Sequence, residues 1–427
     1  MSDIAQVAAQ MKLESPVMAA TPLEVRNAAL AHIREALLAH ADEVFAANAA
    51  DLAAADEAGV ASAIVKRLRF DEHTLADVCA GIEDLISLPD PVGKTLLARE
   101  LDEGLTLYRE SCPIGVIGVI FEARPDALVQ ISTLCLKSGN CAILKGGSET
   151  INTNKALFQV IHAAAVEAGL PEGCLAQVEA REDINALLAC DTSVDLLIPR
   201  GSNAFVRYIM DNTRIPVMGH ADGICHTYVD RDADLAKAIE IVVDAKTQYV
   251  AVCNATETLL VDRTVAAEMV PPIVAALREK GVEVRGDKDV CALTDCTPAT
   301  DADWDTEYLA LIISIKLVDG VDEAIAHINA HGSHHTDAII TENEATAAHF
   351  MQLVDSAGVY QNCSTRFADG FRYGFGAEVG ISTSKLHARG PVGLDGLVTY
   401  KYKLFGNGHT VAPYASGEKS FHFRDLA

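Results

Sequence analysis

Short, continuous apolar runs alternate with amphipathic segments through the first half of the chain. Strand-like runs and helical segments follow one another at residues 115–120, 126–137, 141–145, 154–168, 196–199 and 204–210. Parallel strands are buried on both faces, so apolar runs without alternation indicate a parallel sheet covered by helices. The pattern predicts a doubly wound α/β domain, in which ligands bind beyond the carboxyl ends of the strands.

A second alternation of the same kind begins after Cys253. Strands are predicted at 257–261, 282–285, 309–317 and 337–341, with helices at 264–280, 321–330 and 344–355. At 427 residues the chain exceeds what one hydrophobic core usually serves, which agrees with two α/β domains.

Four segments lie outside these two alternations. Helical periodicity covers residues 21–58 and 71–88, and residues 101–110 alternate around a Glu-Gly turn, which predicts a β-hairpin. A strand at 397–402 lies too far from either core pattern to belong to one of them. Together with the hairpin, it is predicted to form a small β arm for oligomerisation.

Charge and cysteine usage exclude several classes of function. The formal net charge of −26 argues against nucleic-acid binding and hinders docking to anionic membranes. Eleven cysteines without a CxxC pair, in a chain that begins without a signal-peptide pattern, indicate reduced thiols and a cytoplasmic protein. His331, His334 and His335 are interpreted as a polar turn beside Gly332, and no metal site is predicted.

Cys253 is the candidate nucleophile. It lies in an irregular segment that is followed at once by the apolar run of the second alternation. A thiol at the end of a loop, facing a cleft between domains, suits a nucleophile that forms a thioester with an acyl substrate. The alternative is a cysteine that serves as a small buried hydrophobe.

Two Gly-rich turns follow predicted strands and are candidates for binding the phosphates of a nucleotide cofactor. The first holds Lys145 and Ser148, and the second holds Gly201 and Ser202. Neither is a GxGxxG or Walker A motif, so the alternative of an ordinary strand-to-helix loop stays open.

Taken together, the motifs resemble the aldehyde dehydrogenase superfamily, and within it the branch that reduces an acyl phosphate. They match in family order from about residue 25 to 405. The motifs stand at residues 113–125, 135–140, 198–201, 225–230, 253–258, 306–309, 364–367, 374–378, 380–383 and 385–391.

The resemblance implies reduction of L-glutamyl 5-phosphate by NADPH to L-glutamate 5-semialdehyde and phosphate, in proline biosynthesis. Cys253 takes the place of the nucleophile. Its main-chain N–H and the side chain of Asn254 are expected to hold the developing oxyanion. The implied architecture is a cofactor-binding domain at 1–248, with the hairpin at about 100–112 in the arm. A catalytic domain at 249–390 and an oligomerisation tail at 391–427 follow.

One departure from the wider superfamily favours the reductive direction. Hydrolytic members carry a glutamate that activates water against the thioester, whereas the aligned residues 219–223 contain none. His220 and Asp222 stay open as alternative bases. A second departure is Tyr249-Val250-Ala251 in place of Arg-Pro-Ser before the cysteine, which affects the predicted shape of the substrate pocket.

The resemblance also implies cofactor contacts. Lys145 matches the lysine that contacts the adenosine ribose, and Ser148 replaces a glutamate found in NAD-preferring members. A small neutral residue leaves room for a 2′-phosphate, so NADPH (NADP in the oxidised form) is the predicted cofactor. Glu307 matches the glutamate that holds the nicotinamide ribose; the alternative is a solvated charge.

Four residues in matching loops are predicted to bind the anionic substrate. Arg124 and Arg366 supply cations, and Ser364 and Thr365 supply donors for the α-carboxylate. The alternatives are arginines that brace their loops through carboxylates or carbonyls, and hydroxyls that only cap a loop.

The expected partners are the small acyl phosphate and further copies of the chain, as a dimer or tetramer. Transient contact with a glutamate kinase is a hypothesis based on the lability of the substrate. Two rivals stay open: a hydrolytic or CoA-dependent aldehyde dehydrogenase on the same fold, and a catalytically inactive scaffold.

Overall fold

The computed structural model describes residues 3–122, 124–179 and 183–426. Ala123, part of the motif at 113–125, lies outside the described residues. The chain divides into two compact units. The first comprises Met1–Met218, Phe375–Gly380 and Val392–Ala427, and the second comprises Gly219–Gly374 and Ile381–Pro391.

The N-terminal part of the first unit carries most of its helices and most of its strands. The helices are α1 (Asp3–Ala20), α2 (Leu23–Ala39), α3 (Ala41–Glu57), α4 (Ser62–Leu68), α5 (Glu72–Ser87), α6 (Pro125–Lys137), α7 (Ile151–Glu167), α8 (Asp183–Leu188) and α9 (Asn203–Asp211). The strands are β1 (Thr95–Asp102), β2 (Leu105–Pro113), β3 (Val116–Phe121), β4 (Cys141–Lys145), β5 (Leu175–Val178) and β6 (Leu196–Arg200).

Strands β3 to β6 form a parallel sheet in the order β5-β4-β3-β6. Every residue of β3 and β4 is buried, as the continuous apolar runs predict. The helical segment predicted at 21–58 is two helices, because the backbone at His40 leaves helical geometry (φ −103°, ψ 18°). The sequence did not predict α1, which contains Pro16, a residue that argues against a helix.

The second unit has one larger parallel sheet. Its strands are β7 (Cys225–Val229), β8 (Thr256–Asp262), β9 (Glu283–Gly286), β10 (Thr297–Pro298), β11 (Ile312–Val318), β12 (Thr336–Ile340) and β13 (Gly358–Gln361), in the order β10-β9-β11-β8-β7-β12-β13. Its helices are α10 (Leu235–Thr247), α11 (Ala266–Glu279), α12 (Lys288–Leu293), α13 (Val321–His331) and α14 (Glu344–Leu353).

Helices cover both faces of this sheet. Leu259 and Val261 of β8 pack in one apolar cluster with residues of α10 and α11. Leu260, between them, packs in a second cluster with residues of α13 and α14. Successive side chains of a strand point to opposite faces, so the sheet is doubly wound. The strand predicted from residue 309 begins at Ile312, because Leu309 has a left-handed backbone (φ 52°).

The division between the units differs from the predicted boundary at residue 248. Strand β7 pairs with β8 on one side and with β12 on the other, so it belongs to the second sheet. Helix α10 packs against β8 and follows β7 into this unit. Strand β7 is buried along its whole length, like β3 and β4 of the first sheet, and only its pairing assigns it to the second.

The hairpin and the C-terminal strand form a separate antiparallel sheet of the first unit. Strands β16 (Val398–Phe405) and β17 (Arg424–Asp425) add to the hairpin in the order β16-β2-β1-β17. Strand β16 pairs with β2 along its whole length, from Val398 opposite Pro113 to Phe405 opposite Thr106. The C-terminal strand therefore belongs to the first unit, whereas the sequence pattern assigned it to neither domain.

The C-terminal part of the chain also contains a small sheet and a short helix. Strands β14 (Gly380–Ser382) and β15 (Gly390–Val392) form a two-stranded sheet, and α15 spans Ala412–Ala415. Within the described ranges, no helix combines the length and the apolar character that crossing a membrane requires.

Candidate active site

Cys253 lies in the turn that connects α10 to β8, and its side chain is half-buried. Strand β8 is buried along its full length, so the turn ahead of it has a fixed anchor. The thiol of Cys225, the first residue of β7, donates to the carbonyl oxygen of Cys253 at 3.2 Å. The candidate nucleophile is therefore held at the amino-terminal edge of the second sheet. The sequence pattern predicted that ligands bind beyond the carboxyl ends of the strands. This thiol instead lies at the opposite edge of its sheet.

His335 lies beside this thiol. Its Nε2 atom is 3.1 Å from Sγ of Cys253, and its Nδ1 atom is 2.9 Å from Oγ1 of Thr336. The imidazole is fully buried. Because Thr336 begins β12, the ring is fixed next to a buried strand and can exchange a proton with the sulfur.

The interpretation of the three neighbouring histidines as a polar turn is wrong for His335. His331 is partly exposed and lies 2.8 Å from Asp305, and Nδ1 of His334 lies 2.7 Å from the carbonyl oxygen of Asp355. The turn ends at His335, because the buried strand β12 begins at the next residue, Thr336, and the ring of His335 is buried with it. Sequence reasoning missed this residue, which is 82 positions from Cys253.

The segment before β7 also reaches the nucleophile. A Cβ atom at Gly223 would collide with the carbonyl oxygen, Cα and Cβ of Cys253, so the two main chains touch there. His220 bonds through Nδ1 to the carbonyl oxygen of Ile381 at 2.7 Å, and its ring lies edge-on to that of His335, with centroids 4.9 Å apart. The potential ligand atoms of His220, Cys253 and His335 all lie within 4.8 Å of one another.

Parallel strand order brings these residues together. Strands β8, β7 and β12 are neighbours, so the segments that precede them meet at one edge. Cys253 precedes β8, Gly223 precedes β7 and His335 precedes β12. The site is thus built from three loops that are far apart in sequence.

Asn254 follows the nucleophile, and its side chain is engaged at both ends. Its Nδ2 atom donates to the carbonyl oxygen of Ala368 at 2.8 Å, and its Oδ1 atom accepts a hydrogen bond from the guanidinium of Arg366. Arg366 also donates through Nε to Gln248 at 3.0 Å. Burial, reinforced by the neighbouring Arg372, lowers the pKa of Arg366.

Thr365 and Ser364 hold the loop around Arg366. The buried hydroxyl of Thr365 donates to the carbonyl oxygen of Asn254 at 2.7 Å and lies 3.2 Å from the hydroxyl of Thr256. The hydroxyl of Ser364 accepts from the main-chain N–H of Arg366 at 3.3 Å. The hydroxyl of Thr365 therefore holds the nucleophile loop, and that of Ser364 caps its own loop, which matches the alternative of capping.

Lys145 and Ser148 lie at the end of β4 in the first unit. Lys145 is buried and donates through Nζ to the carbonyl oxygen of Gly146 at 2.5 Å. Ser148 is exposed, and its hydroxyl lies 3.4 Å from a carboxylate oxygen of Glu149. The turn therefore contains both the buried ammonium group of Lys145 and the exposed small side chain of Ser148.

Gly201 and Ser202 form the turn that opens α9. The main-chain N–H of Ser202 donates to the carboxylate of Glu122 at 3.0 Å. A Cβ atom at Gly201 would lie 2.5 Å from this carboxylate and 2.9 Å from the ring of Phe205. The N-terminus of α9 therefore binds an anionic oxygen, and position 201 has room only for glycine.

Arg124 lies at the N-terminus of α6 and is about half exposed. Its guanidinium pairs with Asp126, with the closest atoms 2.8 Å apart. This contact matches the alternative of an arginine that braces its loop.

Glu307 lies in a segment that is anchored on both sides. Asp303 accepts hydrogen bonds from Tyr308 at 2.6 Å, from the main chain of Thr300 at 2.7 Å and from Arg285 at 2.7 Å. Burial acts to raise the pKa of Asp303, but these donors outweigh it and hold the pKa below its usual value. Residues between Thr300 and Tyr308 are thus fixed around one buried carboxylate.

A buried ion pair lies behind the nucleophile loop. Nζ of Lys246, on α10, is 2.5 Å from Oε2 of Glu257, on β8, and both side chains are fully buried. Burial lowers the pKa of Lys246 and raises the pKa of Glu257 to about 7. The sequence did not predict this pair, because its residues lie on a helix and a strand whose packing the periodicity does not specify.

Comparison with known proteins identifies the family. A profile of the aldehyde dehydrogenase family matches residues 1–303. A protein of Ruminiclostridium cellulolyticum named gamma-glutamyl phosphate reductase is 59% identical over 419 residues, which cover 98% of this chain and 97% of the relative. The chain belongs to the aldehyde dehydrogenase family, among its gamma-glutamyl phosphate reductases. The resemblance read from the sequence is confirmed.

Solved structures agree with this membership. The gamma-glutamyl phosphate reductase of Thermotoga maritima is 40% identical, and the match covers 96% of this chain and all of that one with a TM-score of 0.94. An acetylating aldehyde dehydrogenase of Geobacillus thermoglucosidasius, 15% identical, shares the fold with a TM-score of 0.63, covering 96% and 99% of the chains. The predicted aldehyde dehydrogenase-like α/β fold is confirmed. Membership of this family makes the chain an oxidoreductase and implies a nicotinamide cofactor.

Proposed function

We propose that this chain reduces L-glutamyl 5-phosphate with NADPH, through a thioester on Cys253, to give L-glutamate 5-semialdehyde and phosphate. The observation that carries the proposal is the 3.1 Å approach of His335 Nε2 to Cys253 Sγ. A thiol needs a proton acceptor to become a nucleophile, and this imidazole is oriented by Thr336. The names of the relatives at 59% and 40% identity support the choice of substrate.

The acylation step uses the chain's own residues. His335 accepts the thiol proton, and the sulfur of Cys253 attacks the acyl carbon of the substrate. The bond from that carbon to the phosphate oxygen breaks, and phosphate leaves with the electron pair. Phosphate is a stable leaving group at neutral pH, so this step needs little acid catalysis.

The developing oxyanion needs donors close to Cys253. We assign this role to the main-chain N–H of Cys253 and to the remaining N–H of the Asn254 amide, whose Oδ1 atom is fixed by Arg366. Because Arg366 fixes the amide of Asn254, its N–H keeps one orientation, as a donor to the oxyanion must.

Substrate recognition is assigned to the loop that contains Ser364, Thr365 and Arg366, and to Arg124. Burial of Arg366 beside the nucleophile loop places a cation near an anionic substrate. Arg124 would have to exchange Asp126 for the substrate. The hydroxyl of Thr365 is already used by Asn254, so its contribution is to hold the loop.

The residues of the first unit fit a dinucleotide. The N–H of Ser202 binds an anionic oxygen, and a phosphate at this position would have to displace the carboxylate of Glu122. Gly201 has no side chain that would obstruct the approach of the phosphate to the main chain. Lys145 and the small Ser148 suit a ribose with a 2′-phosphate, which favours NADPH. Glu307 is assigned to the nicotinamide ribose. When bound, the reduced nicotinamide supplies the hydride that converts the thioester to the aldehyde.

The rival function is that of a hydrolytic or CoA-dependent aldehyde dehydrogenase. Residues 219–223 lack the glutamate that activates water. The Nδ1 atom of His220 is bonded to the carbonyl oxygen of Ile381, which leaves Nε2 with its lone pair, so His220 and Asp222 stay open as alternative bases. A thioester without a water-activating glutamate beside it is available to hydride.

The decisive experiment runs the reaction in reverse with L-glutamate 5-semialdehyde, NADP and phosphate, and follows the absorbance of the reduced nicotinamide. Strict dependence on phosphate supports the acyl-phosphate reductase. Turnover of simple aldehydes without phosphate, or with CoA instead, contradicts it. Cys253→Ser is the matched control and is expected to abolish the signal. Replacing NADP by NAD tests the cofactor.

The antiparallel sheet is assigned to oligomerisation. The side chains of Tyr400, Tyr402 and Leu404, which lie on the same face of β16, are each more than half exposed and form an apolar surface suited to a second copy. Replacing Tyr400 and Tyr402 by serine is expected to lower the molar mass measured by light scattering. An unchanged mass would contradict this role.

Contact with a glutamate kinase is proposed because the acyl phosphate is labile. In a coupled assay, a trap for free acyl phosphate should leave the semialdehyde yield unchanged if the kinase transfers its product directly. Complete loss of flux in the presence of the trap would refute the contact.

A further inference from the structure

We infer that His220, Cys253 and His335 form a zinc site whose occupation reversibly blocks the nucleophile. The inference rests on the proposed function for its inhibitory effect, but not for the binding of the ion. Zinc acts here as an inhibitor that competes with acylation of the thiol, and not as a cofactor of the reaction.

The donor set fits Zn²⁺. One thiol and two imidazoles are ligands that zinc prefers, whereas Mg²⁺ and Ca²⁺ prefer oxygen. The three ligand atoms lie within 4.8 Å of one another, and the Sγ–Nε2 distance between Cys253 and His335 is 3.1 Å. Tetrahedral zinc, with bonds of about 2.0–2.3 Å, needs donors roughly 3.3–3.6 Å apart. Because none of these separations exceeds 4.8 Å, the ligand atoms need to approach one another by roughly 1.2–1.5 Å at most to reach this geometry.

Both imidazoles are oriented as metal ligands usually are. Nδ1 of His220 is bonded to the carbonyl oxygen of Ile381 at 2.7 Å, and Nδ1 of His335 is 2.9 Å from the hydroxyl of Thr336. Each ring therefore keeps Nε2 as its ligand atom. A ligating histidine commonly bonds a carbonyl or a similar acceptor through its second nitrogen, which fixes the ring.

The three ligand residues are held firmly, and two of them are accessible from solvent. His335 is fully buried at the start of β12, and the main chain of Cys253 is held by Gly223 and Cys225. Cys253 and His220 are only half-buried, so an ion can reach them from solvent. Three protein ligands leave a fourth position for water, as in zinc sites that exchange ligands. Such a site is expected to release zinc to a chelator.

Binding removes both groups that acylation requires. The Zn–S bond forms on Cys253 as the thiol proton passes to solvent, and Nε2 of His335 donates its lone pair to the ion. No oxidant or reductant takes part. Coordination by the positive ion lowers the nucleophilicity of the sulfur and occupies the space through which a substrate approaches it, and His335 has no lone pair left with which to accept a proton.

The test uses the full-length enzyme, freed of metal with a chelator and titrated with ZnCl₂. Calorimetry is expected to give one zinc per chain. Zinc is also expected to protect Cys253 from iodoacetamide, as measured by mass spectrometry of the labelled peptide, and to inhibit the reverse reaction until EDTA is added. MgCl₂ should do none of these. Zinc that binds without protecting Cys253 would overturn the inference.

Variants separate this site from other zinc ligands. His220→Gln is expected to weaken zinc binding at least about 100-fold, the upper end of the loss caused by changing a residue that merely orients a ligand. Inhibition is expressed relative to the zinc-free rate of each variant. His220→Asn is a second replacement if His220→Gln is unstable.

Two controls match the alternatives. His349→Gln removes an exposed histidine that is paired with Asp322, and Cys291→Ser removes one of two thiols whose sulfurs lie 2.8 Å apart. Both are expected to leave the zinc affinity unchanged. If Cys291→Ser, and not His220→Gln, abolishes binding, zinc is bound elsewhere and the inference fails. Calorimetry needs no turnover, so failure of the proposed reaction would be seen separately.

Discussion

The main chain of Gly223 lies directly against Cys253, with no space for a methyl group between them. We expect Gly223→Ala to displace the thiol and to lower kcat about 100-fold, the cost of a misplacement of about 1 Å. Stability should fall by only about 1–3 kcal/mol. Gly81→Ala is the matched control, because a Cβ atom there meets nothing within 4 Å. A Gly223→Ala enzyme of normal activity would show that this close approach does not position the nucleophile.

His335→Gln removes the proton acceptor of Cys253 and keeps a polar side chain. The rate of the reverse reaction is expected to fall by about 10²–10⁴, the range typical of losing a general base. Alkylation of Cys253 by iodoacetamide should slow as well, because the thiol loses its proton acceptor. His331→Gln, on the neighbouring helix end, is expected to change the rate less than about twofold. Equal losses in the two variants would refute a role specific to His335.

Ser148→Glu tests the choice of cofactor. A carboxylate at this exposed position would repel a 2′-phosphate, so kcat/KM for NADPH is expected to fall at least about 10-fold relative to NADH. Ser148→Ala is the control and should keep the original ratio. The measurement is kcat/KM for both cofactors in each variant. A ratio unchanged in Ser148→Glu would exclude this residue from the ribose site.

His327 makes the fold sensitive to acid. Its ring is buried, and Nε2 has no hydrogen-bond partner among the described residues. Burial, with the nearby His226 and Lys316, lowers the pKa of His327 to about 2. The unfolded chain therefore binds more protons than the native state between about pH 6.5 and 2. The contribution of His327 to the free energy of unfolding is thus complete above about pH 6.5 and is lost as the pH falls.

The expected loss of stability from this group between pH 7 and pH 5 is about 2 kcal/mol. Urea unfolding of the protein and of His327→Gln at several pH values would measure it, since the variant should lose less stability over this range. His40→Gln changes an exposed histidine and should follow the unmodified protein. Parallel curves for His327→Gln and the unmodified protein would contradict the assignment.

The buried pair of Lys246 and Glu257 is expected to behave as a unit. Lys246→Met should lower the free energy of unfolding by about 3–5 kcal/mol, because it leaves a carboxylate buried without its partner. The double variant Lys246→Met/Glu257→Leu should recover most of this loss. Urea unfolding of both single variants and the double variant gives the coupling energy. Additive losses would show that the two side chains do not depend on each other.

Hydrophobic patterning predicted many of the elements but not their assembly, and it missed α1, whose Pro16 argues against a helix. The buried strands β3 and β4 are largely apolar runs, and Cys253 stood out because it precedes β8, whose centre at 259–261 is apolar. His335 could not be connected to it, since their proximity depends on the strand order β8-β7-β12. For the same reason, the boundary between the units was placed after β7 and not before it.

The pairing of β2 with β16 has a consequence during translation. Strand β2 ends at Pro113, and its partner begins at Val398. At a synthesis rate of about 5–20 residues per second, roughly 15–60 s pass before the partner is made. Until then, one rim of the nascent hairpin offers open amide and carbonyl groups to other chains. We expect ribosome-associated chaperones to bind the nascent chain mainly in that interval. Truncated products that lack β16 should precipitate.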